Sequence, residues 1–92
     1  MDITRALNSI GKKCFVENFE LFKNCTDKNA LASALLRDNP NACSLSAQLT
    51  RVNYAKMIFD NHLERKALEI IIASKKLASP IQNKAQALLE DL

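Results

Sequence analysis

Ninety-two residues suffice for one domain, spanning 1–92, that buries roughly two-thirds of the surface exposed by its unfolded chain, and leave no room for a second. A hydrophobic content of 48% with one Gly and two Pro argues against a disordered chain and against an all-β fold, which needs more turn formers. Thirteen Lys and Arg against ten Asp and Glu, a net charge of +3, permit an anionic partner without requiring one.

The chain reads as an all-α bundle of about five short helices. Asp2 is placed to cap the first, which carries Ile3, Leu7, Ile10 and Cys14 on one stripe. Phe15, Phe19 and Phe22 form a second stripe about 120° away on a 3.6-residue wheel. Either the helix bends near Gly11, or it touches two partners.

A second helix is predicted from Thr26 or Asp27 to Asp38, burying Leu31, Ala34 and Leu35 and stopped by Asn39-Pro40. Ser44 then caps a third helix running to about Asp60, with Leu45, Leu49, Val52 and Phe59 as its apolar stripe and Ala55 beside it. Asn61 and Glu64 are spaced for a capping box at the start of a fourth helix. Its wide apolar arc, through Leu63, Ala67, Leu68, Ile70, Ile71 and Ile72, marks it as the expected central element. The β-branched triplet 70–72 is read as helix because no partner strand exists in the sequence. Ser79, Pro80 and Gln82 give the start of a fifth helix, with Ser79 as N-cap and Ile81, Ala85, Leu88, Leu89 and Leu92 as its stripe.

No apolar run approaches the roughly 20 residues needed to cross a bilayer, and the opening Met1-Asp2-Ile3-Thr4-Arg5 lacks the apolar core of a secretory signal. The expected location is therefore the cytoplasm, with no membrane partner. Cys14, Cys25 and Cys43 form an odd set without a C-x-x-C pair. They encode neither a disulfide framework nor a zinc site and read as small buried hydrophobes. His62, the only histidine and so the only one available for acid-base work, falls in the turn between the third and fourth helices and reads as a solvent-exposed turn residue or helix-cap neighbour. With a single Gly and no phosphate-cradling or catalytic motif, the chain is expected to be non-enzymatic and to need no cofactor or metal.

The segment with most functional content is the second helix (about 27–38), a short connection and the third helix (about 44–60), a helix-turn-helix-like pair. No acidic residue lies between Asp38 and Asp60. Ser46, Thr50, Asn53 and Tyr54, flanked by Arg51, supply the hydroxyl, amide, guanidinium and aromatic groups used against phosphates and base edges. Lys56, close to the apolar stripe, would snorkel to solvent or reach a phosphate. The expectation is a small regulatory protein that binds double-stranded DNA, in the manner of dimers that pair two reading helices. The basic pairs Lys12-Lys13, Arg65-Lys66 and Lys75-Lys76 would widen the positive face. Against this stand a connection, Asn39–Cys43, longer than the usual turn, and the equally simple reading of the third helix as a solvated surface.

The competing expectation is a helical adaptor or homodimer. Its interface would be the displaced phenylalanines Phe15, Phe19 and Phe22, or the Leu88, Leu89 and Leu92 surface, because aromatic and aliphatic side chains left exposed mark partner sites.

Overall fold

A computed structural model describes residues 2–38, 44–74 and 77–92. Among them the chain forms seven helices and no strand: α1 (Ile3–Ile10), α2 (Lys12–Glu17), α3 (Phe19–Lys23), α4 (Lys28–Asp38), α5 (Leu45–Asp60), α6 (Glu64–Ala73) and α7 (Ser79–Glu90). The connection Asn39–Cys43 and the pair Lys75-Lys76 lie outside the described residues. No described helix is long and apolar enough to cross a membrane.

The expected first helix is three helices. Asp2 caps α1 by accepting from the Arg5 amide at 3.1 Å. At Gly11 the backbone turns to φ 91° and ψ 123°, a conformation that costs a residue with a Cβ far more than glycine. A second break follows at Asn18, whose side-chain nitrogen donates to the Cys14 carbonyl oxygen at 3.0 Å. These two breaks resolve the paired stripes: the segment folds around the core instead of running straight past it. Ile3, Leu7, Ile10, Phe15, Phe19 and Phe22 are all buried together.

Phe15 is the hub of this cluster. It meets Phe19 edge-on at 5.6 Å and stacks against Phe22 and Phe59 at 6.2 and 5.8 Å between centroids. Phe59 in turn meets Phe19 at 5.1 Å. Aromatic pairs at these separations add about 0.5–1.5 kcal/mol beyond their area burial. The phenylalanines expected as an exposed interface therefore fill the domain's own core.

The central element is α5, not α6. It packs against α1, α3, α4 and α6, while α6 packs on α7 and α2 also meets α7. Its start is as expected, with the Ser44 hydroxyl accepting from the Ala47 amide at 3.3 Å. Its buried face differs from the expected stripe and consists of Gln48, Val52, Ala55 and Ile58. Leu49 and Phe59 are half-buried, and Leu45 is exposed. The helix is rotated by about 70° from its sequence-based wheel, because neighbours on several sides, rather than its own largest side chains, decide what is covered. On α4, capped by Asp27 through the Ala30 amide at 3.1 Å, the fully covered residues are Ala32 and Leu35, with Leu31 and Ala34 half-buried. Helix α4 packs against α5.

Two expected capping boxes are replaced by other contacts. Asn61 closes α5 by donating its side-chain nitrogen to the Met57 carbonyl oxygen at 2.7 Å, and α6 starts without a side-chain cap. The chain leaves α5 through a Schellman turn. The Leu63 amide donates to the Ile58 carbonyl and the His62 amide to the Phe59 carbonyl, with His62 in the left-handed conformation at φ 57°. At α7, Ala78 and not Ser79 occupies the N-cap. Gln82, instead of completing a box, donates to the Ser74 carbonyl oxygen and so satisfies an acceptor at the end of α6.

Candidate interaction site

Helix α5 presents two sites of opposite character. On its outward side Ser46, Thr50, Asn53 and Met57 are exposed, and recur at the four- and three-residue spacing that aligns them along one face. Thr50, Asn53, Tyr54 and Met57 line a shallow groove of about 280 Å³. None of these side chains is charged. Tyr54 is half-buried and packs on the core edge, whereas Met57 is 44% exposed. The Thr50 hydroxyl is turned inward, donating to the Ser46 carbonyl oxygen at 3.1 Å, so the groove offers more methyl and ring surface than its composition suggests.

Arg51 is absent from this face. It is half-buried, and its guanidinium donates at 3.3 Å to the side-chain oxygen of the fully buried Gln48. There it lines a second cavity of about 300 Å³ at the elbow between α1 and α2. Ile10, Gly11, Lys13, Cys14, Glu17 and Asn18 complete the lining. Burial pushes the Cys14 thiol above its ordinary value, against the pull of the nearby Arg51, so the sulfur is held as a neutral thiol.

The residues read from the sequence as one DNA contact set are thus divided. Ser46, Thr50 and Asn53 share the outward face with Tyr54 at its edge, and Arg51 faces the elbow. Lys56 is half-buried and, five residues on from Arg51, lies about 140° around the helix from it. Of the basic pairs, Arg65 and Lys66 are exposed on α6, where Arg65 donates to the Leu92 carbonyl oxygen at 3.3 Å. Leu88 and Leu89 are half-buried against the core and Leu92 is exposed.

The elbow was missed in the sequence. Its one signal was Gly11, the only glycine, next to the Lys12-Lys13 pair. His62 serves the turn that ends α5, and among the described residues no group of three or more His, Cys, Asp or Glu side chains converges as a metal site. No known protein family matches this chain, and no curated protein and no solved structure matches it.

Proposed function

We propose that this chain is a non-enzymatic helical interaction module that docks a protein partner on the outward face of α5. The observation that carries the reading is the neutrality of the groove formed by Thr50, Asn53, Tyr54 and Met57. A phosphate is recognised by converging cations and forked guanidinium groups. A groove edged by a tyrosine ring, a methionine thioether and a threonine methyl instead fits an apolar side chain presented by a neutral protein segment. Methionine adapts its shape to such a guest, and tyrosine offers large contact area with a polar tip.

A second reading, duplex DNA bound through the α4–α5 pair, is favoured by a separate observation. From Leu45 to Phe59 the helix carries no carboxylate, so nothing on its outward face repels a phosphate backbone.

One paired experiment separates the two. A photo-crosslinking amino acid is placed at Asn53 in cells that express the protein, with and without Met57→Glu, while purified protein is titrated into labelled duplex DNA at low and near-physiological salt. Protein docking predicts a discrete crosslinked species of fixed mass that Met57→Glu abolishes, with no salt-dependent DNA binding. A species of twice the chain mass identifies a homodimer. DNA binding that falls steeply with salt and weakens in Asn53→Ala would overturn the docking reading in favour of the second.

A further inference from the structure

Helix α5 leaves two large apolar side chains, Leu45 and Met57, each 44% exposed. Met57 belongs to a longer pattern than the groove alone shows. Ser46, Thr50, Asn53, Met57 and Asp60 are all exposed and recur at alternating spacings of four and three residues. On a 3.6-residue helix they stay within about 40° of one line, the arrangement of a coiled-coil seam, along which a second helix packs.

The seam pairs with itself when turned end for end. With a two-fold axis between Arg51 and Val52, Ser46 faces the second copy's Met57 and Thr50 faces the second copy's Asn53, so each smaller side chain meets a larger one. The Thr50 hydroxyl, its proton given to the Ser46 carbonyl oxygen, still accepts from the facing amide. Helical side chains lean towards the N-terminus of their helix. The second copy's Met57 therefore leans from Ser46 towards Thr50 and closes that end of the groove. Lys56, on the flank, comes level with the second copy's Leu45 and Leu49, over which its methylene stem lies with the ammonium in solvent.

The charges favour the same direction. Asp60 comes level with the Ser44-capped N-terminus of the second copy's α5, where free amides and the helix dipole attract a carboxylate. A parallel pairing would instead set Asp60 against Asp60. The two Lys56 side chains lie nine residues apart along the antiparallel seam, about 14 Å, beyond the ~10 Å over which charges act at 0.1 M salt.

We propose that the guest on the outward face of α5 is a second copy of this chain, its α5 antiparallel across a two-fold axis. The inference rests on the docking reading and names its partner. A seam about 21 Å long and one helix, about 10 Å, wide falls short of the roughly 800 Å² that each partner buries in a standard interface. Pairing is therefore weak, with a Kd on the order of 10–100 µM.

The test is sedimentation equilibrium of the whole chain from about 5 to about 500 µM, a range that brackets this Kd. Wild type should exchange between monomer and dimer, and Met57→Glu should weaken the dimer at least roughly tenfold. The double variant Ser46→Lys/Met57→Glu should regain most of the affinity, because the new ammonium and carboxylate face one another only across the antiparallel two-fold. Within one copy those positions are about 16 Å apart. Both positions are exposed, so the circular dichroism and urea midpoint of each variant should match wild type. A dimer that Met57→Glu leaves intact, or a double variant no tighter than Met57→Glu, would overturn the inference. A monomeric protein whose Asn53 photo-crosslinks to a different polypeptide overturns it and keeps the docking reading, whereas a monomeric protein without crosslinks overturns both.

Discussion

The side-chain oxygen of Gln48, fully buried on α5, accepts a hydrogen bond from the Arg51 guanidinium at 3.3 Å, and the arginine lines the α1–α2 elbow. Gln48→Leu removes both the bond and the unpartnered amide nitrogen. Replacing a buried polar group by an apolar one of similar size is close to neutral for stability. We expect the stability of Gln48→Leu in urea denaturation to stay within about 1 kcal/mol of wild type. A large loss of stability would show that Gln48 serves the core and not Arg51.

Phe15 touches three other rings and is completely buried. Phe15→Ala should cost about 3–5 kcal/mol in chemical denaturation, the range for a large aromatic removed from a close-packed core. The same substitution at exposed Leu21 should shift the transition by less than about 0.5 kcal/mol.

His62 holds a left-handed backbone at the C′ position of α5, where glycine is the usual occupant because a Cβ makes this region unfavourable by about 1–2 kcal/mol. His62→Gly relieves that cost but loosens the unfolded chain, which returns part of the gain. The net expectation is a stabilisation of about 0.5–1 kcal/mol, seen as a higher urea midpoint. Unchanged stability would mean that the imidazole makes an offsetting contribution of its own.

The reverse holds at Gly11. Its φ of 91° is strained for any residue with a side chain, whatever the room beside it, so Gly11→Ala should destabilise the fold by about 1–3 kcal/mol.

Burial raises the Cys14 thiol above its ordinary value. A raised folded-state value means that the native chain keeps this proton after the unfolded chain has lost it. The associated stability is complete below the ordinary thiol range and declines as pH rises through it towards the folded value. Between about pH 8 and about pH 10 wild type should therefore lose more stability than Cys14→Ala, which lacks the titrating group. Equal losses in the two proteins would contradict the shift.

Much of this architecture was legible in the sequence, because many helix signals are local. Asp2, Asp27 and Ser44 cap the helices that they precede, and Gly11 marks a turn, through bonds and torsions that span only a few residues. The all-α class followed from the 3.6-residue periodicity and the scarcity of turn formers. Spacing failed as a guide where a second acceptor competed: Asn61 turned back to the Met57 carbonyl and Gln82 reached the Ser74 carbonyl, so neither expected box formed. Tertiary packing alone decided that α5, enclosed by four neighbours, is the centre of the fold. The same enclosure rotated α5, buried Gln48 in place of Leu45 and drew the three phenylalanines inward. Those outcomes depend on which helices lie alongside, and periodicity along one strand of sequence carries no record of the directions from which neighbours arrive.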